Sequence, residues 1–324
     1  MIKQYTHGDL DGVGCSIILS LVYGSDLDVE VTNYDRINND MLSFINGGNI
    51  GKYDKVYITD ISVSDEVASK LDGLHKDVTL IDHHATALDL NKYAWAQVVV
   101  NAGDMKYSAT SLVRNAYRNK LDEAIYRISC NTNKDKSVVA SHIDNIVELI
   151  RRYDTWDWLN YYDFYEQDDT PKQLNDLMKL MGFDRFLDLC VNRIKRVDNI
   201  ISDREMFLLD LEDDRKRRYI DSKLYKLVRK YLYGYKAGIV YADQYVSELG
   251  NSIVENYSCD FAMIISMDGT VSLRSKGDID VSEIAKGLGG GGHKAAAGFP
   301  ITEKTLQDVT NNVLCGLLGE EVVQ

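Results

Sequence analysis

Residues 79–86 read TLIDHHAT, a short apolar run that closes on an aspartate and two adjacent histidines. Successive side chains on an extended segment point to opposite faces, so His83 and His84 are placed for different duties. A histidine pair in a surface turn is ordinary, and its meaning depends on what the neighbouring segments deliver to the same place. Strand candidates upstream and downstream are IKQYT (2–6), DVEVTNY (28–34), DKVYITD (54–60), DVTLID (77–82) and AWAQVVV (94–100). Residues 12–24, 36–45 and 64–74 lie between them and carry apolar residues at helical spacing. Ser64 followed by Val67 and Leu71 reads as an N-cap before an apolar stripe. Strand and helix alternating at this period predict βαβ units and a mainly parallel sheet.

The pattern changes along the chain. From about 108 to 195 it is largely helical, with Ser108 or Thr110 as the cap. Residues 196–233 are charge-rich, and Ile220, Leu224, Leu227, Val228 and Tyr231 fall on one helical face, which predicts a long solvated helix joining two domains. Strand signals resume at 236–242, 259–266 and 270–275, with Met267-Asp268-Gly269 as a hairpin turn. Helical patterns at 246–256, 281–287 and 304–318 complete a smaller α/β unit. The expected architecture is α/β: an N-terminal domain over 1–195, a helical linker over 196–234 and a C-terminal domain over 235–324.

At 324 residues the chain suits two cores, and its 45% apolar and 27% charged composition is that of a globular protein. No apolar run approaches the ~20 residues of a membrane span, and the polar N-terminus has no signal-peptide core, so the expected location is cytoplasmic. Five scattered cysteines, none in a CxxC spacing, predict reduced thiols and no zinc cluster. With 50 acidic against 37 basic residues the net charge is −13, which argues against long duplex DNA as a partner. Such acidity also remains when carboxylates are gathered to hold divalent cations.

Those carboxylates sit at strand ends. His7, Asp9 and Asp11 follow the first strand in THGDLDGVG, Asp60 ends KVYITD, and Asp82, His83 and His84 end VTLI. In a parallel sheet these ends share one edge, where ligands bind. Asp154, in RRYDTWDW, is a fourth contributor. Carboxylate plus imidazole without cysteine suits manganese, magnesium or iron. Two such cations with a bridging carboxylate serve phosphoryl displacement. His75 and His142 fall outside the pattern and are read as surface or helix residues. Near the C-terminus, GLGGGGHKAAAG lets backbone N–H groups approach an anion, with His293 and Lys294 adding charge and Ala295–Ala297 expected to begin a helix.

Together, THGDLDGVG, YITD, IDHHAT, RYDTWDW, VSLRS and GGGGHKAAAG resemble the motif series of the DHH phosphoesterase superfamily. The branch resembled carries a DHH-associated C-terminal domain and includes RecJ-like exonucleases; the short first motif and YDTWDW look closest to the NrnB-type oligoribonucleases. The resemblance implies a manganese-dependent phosphodiesterase with two divalent cations, Mn2+ or Mg2+, in a cleft between the domains. Asp9 and Asp60, with His7, would hold the first cation. Asp11, Asp60, His83 and Asp154 would hold the second. His84 would face the scissile phosphate, Asp82 would orient the histidine pair, and Arg274, Gly291, Gly292 and His293 would grip the terminal nucleotide. Many members place three residues between the first histidine and the D-x-D pair, whereas here only Gly8 does; Asp157 stands three residues beyond Asp154 as a rival. The implied partners are short single-stranded RNA or DNA oligonucleotides or dinucleotides, with a homodimer left open. Rival readings keep the chemistry and change the substrate: cyclic or linear dinucleotides, 3′-phosphoadenosine 5′-phosphate or pyrophosphate. A nucleotide-binding sensor is the non-enzymatic rival, against which the intact acidic set speaks.

Overall fold

Buried strands need apolar residues on both faces, and the N-terminal segments supply them. The computed structural model describes residues 1–159 and 168–303, and the chain divides into two units, Met1–Leu209 and Asp210–Gln324. In the first, β1 (Ile2–His7), α1 (Leu10–Tyr23), β2 (Leu27–Thr32), α2 (Ile37–Asn46), β3 (Lys55–Thr59), α3 (Asp65–Gly73), β4 (Val78–Asp82) and β5 (Ala96–Val98) alternate as the sequence predicts. The five strands are all parallel, in the order β2-β1-β3-β4-β5. Tyr5, Val56, Ile58 and Leu80 pack toward α2 and α3, while Tyr57 and Ile81 pack toward α1. Chain order reverses between β1 and β3, and in this topology the crevice outside the carboxyl ends of those two strands is the ligand site.

A short hairpin, β6 (Asn101–Ala102) and β7 (Met105–Lys106), leads into the helices α4 (Ala109–Ala116), α5 (Arg118–Thr132), α6 (Lys136–Asp154), α7 (Thr170–Met181) and α8 (Phe183–Arg196). Ser108 is the α4 cap and exchanges hydrogen bonds with Ser111 in a capping box. The helices enclose α1, whose Val13, Ile17, Ile18 and Leu19 are fully buried; each such side chain contributes ~1.5–3 kcal/mol relative to an exposed one. That packing fixes the start of α1, where Asp9 and Asp11 lie.

Helix α9 (Asp203–Leu224) crosses the boundary between the units. The helical continuation expected through Tyr231 is not realised: β8 (Val228–Leu232) pairs antiparallel with β9 (Tyr235–Tyr241). Tyr233 and Gly234 take φ of 55° and 83°, the left-handed pair that closes a two-residue hairpin. After α10 (Val246–Asn256) come β10 (Phe261–Ile265), β11 (Thr270–Ser275), α11 (Val281–Gly287), β12 (Gly291–His293) and β13 (Ala296–Pro300). They form a mixed sheet in the order β12-β13-β11-β10-β9-β8. Ala295–Ala297 therefore do not begin a helix. They enter a strand whose small side chains let β12 approach: a Cβ on Gly292 would stand 2.6 Å from the Ala296 carbonyl oxygen. The helical pattern at 304–318 and Cys315 lie outside the described residues. Cys15, Cys130, Cys190 and Cys259 are free thiols. No described helix is long and apolar enough to cross a membrane.

Candidate active site at the carboxyl edge of the parallel sheet

The turn from β1 into α1 is the first component. Asp9 caps α1, its Oδ1 accepting from the Gly12 N–H at 3.0 Å, and its Oδ2 lies 2.8 Å from His7 Nδ1. Gly12 is required there, because a Cβ would stand 2.0 Å from the His7 carbonyl oxygen. Capping and site membership, which compete as sequence readings, coexist in Asp9. Asp11 points inward from the first turn of α1 and accepts from the Ala109 and Thr110 N–H groups at 2.6 and 2.9 Å. The N-terminus of α4 thus holds this carboxylate in place.

Asp60 follows β3 in a left-handed conformation, φ 57°, which Asp adopts more readily than most residues. It is 1% exposed. Its Oδ1 lies 3.4 Å from His83 Nε2 and its Oδ2 3.9 Å from His7 Nδ1. His83 Nε2 also lies 3.6 Å from Asp11 Oδ2 and 3.4 Å from Asp154 Oδ2. The ligand atoms form two trios, His7–Asp9–Asp60 and Asp11–His83–Asp154, and a third group, Asp60–Asp82–His83–His84; Asp60 lies near all three through His7 and His83. The short H-x-D spacing does not keep His7 out. Asp157 is elsewhere, ion-paired with Arg151 at 2.6 Å.

The electrostatics of this cluster suit bound cations. Asp60 Oδ2, His83 Nε2 and Asp154 Oδ2 are buried with no hydrogen-bond partner among the described residues, and each such orphan costs ~1–3 kcal/mol. Burial, then the Asp11 and Asp9 carboxylates, push Asp60 well above the usual carboxylate range. The same causes push Asp154 up to about 8. Burial works in that direction on Asp9 too, but the His7 hydrogen bond prevails and holds it below the usual range. A divalent cation in each trio would remove the repulsion and supply the missing partners, so the residues present fit two hard cations.

The DHH aspartate serves the histidines. Asp82 is buried and accepts from the Ser62 hydroxyl, from the His83 N–H at 2.7 Å and from His84 Nδ1 at 2.7 Å. The Asp82 hydrogen bond raises the His84 pKa against the opposing effect of burial. It also fixes the ring so that Nε2 faces outward. Sequence reasoning missed Ser62, the α4 N–H groups and Tyr34, whose hydroxyl lies 3.2 Å from His84 Nε2. For Tyr34 a signal existed: it follows β2 onto the same sheet edge.

The remaining expected residues belong to the second unit. Arg274 on β11 and His293 on β12 both pair with Ala296 of β13, so the three side chains share a face with a methyl in the middle. Arg274 donates to Ser247 Oγ at 3.0 Å. Gly292 has φ 138°, open only to glycine, whereas a Cβ on Gly291 would meet nothing within 4 Å. Gly292 is thus bare for packing, whereas Gly291 has open space where a side chain would stand.

Residues 240–314 match the DHHA1 domain family. Over 316 residues the chain is 37% identical to oligoribonuclease NrnB of Bacillus subtilis (strain 168), spanning 95% of this chain and 74% of that protein. Among solved structures, exonuclease RecJ bound to manganese aligns with a TM-score of 0.52 at 14% identity, covering 99% of this chain and 90% of that one. The pGpG-specific phosphodiesterase PggH from Vibrio cholerae aligns with a TM-score of 0.52 at 12% identity, covering 99% and 100%. Those two likenesses establish the fold, a parallel-sheet α/β domain followed by a smaller sheet domain. The chain belongs to the DHH phosphoesterase superfamily, in the DHHA1-bearing branch that includes oligoribonuclease NrnB.

Proposed function

We propose that this DHH phosphoesterase is a cation-dependent phosphodiesterase that releases mononucleotides from short single-stranded oligoribonucleotides in the cytoplasm. The observation that carries the reading is the buried cluster in which Asp60 reaches both the His7–Asp9 and the Asp11–His83–Asp154 sets. Two divalent cations, manganese foremost, would supply an activated water and positive charge beside the phosphate oxygens.

The chain's own residues do the rest. His7, Asp9 and Asp60 would hold one cation; Asp11, Asp60, His83 and Asp154 would hold the other. Asp82 keeps the Nδ1 proton of His84 engaged at 2.7 Å, so the outward Nε2 is the atom that meets a phosphate oxygen and steadies its developing charge. Arg274, Gly291, Gly292 and His293 are assigned to the terminal nucleotide's phosphate. Oligoribonucleotides are favoured over long duplexes by the likeness to an oligoribonuclease at 37% identity and by the net charge of −13, which disfavours long polyanions.

The test is a comparison of kcat/KM with manganese on RNA dimers to octamers, linear and cyclic dinucleotides, 3′-phosphoadenosine 5′-phosphate and pyrophosphate. The shortest RNA oligomers are expected to be best, with mononucleotide products. Cation binding without cleavage of any phosphodiester would sink the assignment.

A further inference from the structure

Tyr34 lies two residues past the end of β2 and keeps 53% of its surface exposed. Its ring centroid is 4.9 Å from that of His7 and 5.9 Å from that of His84, edge-on to the latter. With Asp82 on Nδ1, the open hydrogen-bonding position of His84 is Nε2, and the Tyr34 hydroxyl lies 3.2 Å from it, beside the place assigned to the phosphate oxygen. A half-exposed ring touching two site imidazoles is not core packing.

Beside it opens a cavity of about 300 Å³ lined by Tyr34, Ser62, Asp65, His84, Thr86 and Asp89, among others. That volume is at the lower end of small-ligand pockets, which run from about 300 Å³ upward. Hydroxyls and carboxylates on its walls accept hydrogen bonds from ribose hydroxyls and base amino groups, and the carboxylates repel a phosphate. The lining therefore suits the uncharged part of a nucleotide whose phosphate remains with the histidines.

We propose that this cavity is a nucleoside subsite, in which one base flanking the scissile phosphate stacks on the Tyr34 ring. The inference rests on the phosphodiesterase reading above and adds a specificity-determining residue to it. Any base offers a π-face, so a stacking platform of this kind is tolerant of sequence.

The test uses the full chain with manganese, an RNA dinucleotide, and two dinucleotides each made abasic at one position. Tyr34→Ala is expected to raise KM for the complete dinucleotide about tenfold, the scale of one lost base stack. Tyr34→Phe retains the ring and keeps both KM and kcat within about twofold. On the abasic substrate that lacks the stacked base, wild type and Tyr34→Ala converge in KM; on the other they stay apart. An unchanged KM in Tyr34→Ala, an equal KM rise in Tyr34→Phe, or an equal rise on both abasic substrates overturns the proposal. Unaltered melting of both variants shows that they fold. A wild type that cleaves no dinucleotide removes the phosphodiesterase reading and this inference with it, whereas an active wild type with an indifferent Tyr34→Ala removes the inference alone.

Discussion

Asp60→Asn separates cation binding from folding in one substitution. Asp60 is 1% exposed and sits at φ 57°, a left-handed conformation that Asn also tolerates, so the backbone is left undisturbed. Burial and the Asp11 and Asp9 carboxylates raise its pKa, which means that the cation-free fold favours the protonated form. Its stabilising contribution is full below the unfolded carboxylate range, about pH 4, and is lost as pH rises toward the folded value. Asn mimics the protonated acid at every pH. In chelator, then, the variant matches the wild type near pH 4–5 and exceeds it at pH 8. Two like charges about 4 Å apart repel by ~4 kcal/mol at an effective dielectric of 20. Asp154, pushed up to about 8, remains largely protonated at neutral pH and reduces that figure. A relief of ~1–3 kcal/mol is expected, or ~2–10 °C in Tm for a domain of about 200 residues. Manganese at 100 times its Kd should stabilise the wild type by ~2.7 kcal/mol, and the variant by much less. Thermal melts in chelator and in manganese, at pH 5 and pH 8, read every corner of this scheme. A variant less stable than wild type in chelator at pH 8, or one that gains equally from manganese, refutes the reasoning.

Asp82→Asn places an amide among the donors Ser62, His83 N–H and His84 Nδ1; steady-state kinetics should show kcat falling ~10–100-fold with manganese-induced stabilisation retained. Asp154→Asn should weaken manganese binding measured by calorimetry, whereas Asp157→Asn, which breaks ion pairs with Arg151 and Lys106, should leave it within about twofold. Gly292→Ala forces a side chain into φ 138° and against the Ala296 carbonyl; it should destabilise the second unit by ~1–3 kcal/mol, seen as faster proteolysis of β12–β13, while the manganese response of the first unit persists.

The acidic and imidazole groups at strand ends were legible because the fold rule is local. Apolar runs of β-branched residues alternating with helices imply a parallel sheet, and its carboxyl edge collects whatever follows each strand. His7, Asp9, Asp11, Asp60 and the 82–84 trio follow from that alone. Asp154 against Asp157 was not decidable from spacing, since one ends α6 and the other stands three residues beyond; the Arg151 guanidinium separates them in space. Tyr34 is one of 21 tyrosines; its place after β2 puts it on the sheet edge, and its contacts with His7 and His84 mark it out there. The strand at Val228–Leu232 was misread because Leu224, Leu227, Val228 and Tyr231 recur at helical intervals, while Tyr233-Gly234 closes a hairpin that long-range pairing with β9 stabilises. Ala295–Ala297 have high helix propensity, yet a sheet needs small residues where β12 and β13 meet through glycine.

The central claim is a two-cation centre bridged by Asp60. It is tested most directly by a manganese titration that follows bound cation per chain and RNA dinucleotide turnover in the same samples. The account predicts two sites per chain, with turnover appearing only as the second fills, and loss of both signals in Asp60→Asn. Full turnover with one cation per chain, or with none, would contradict it.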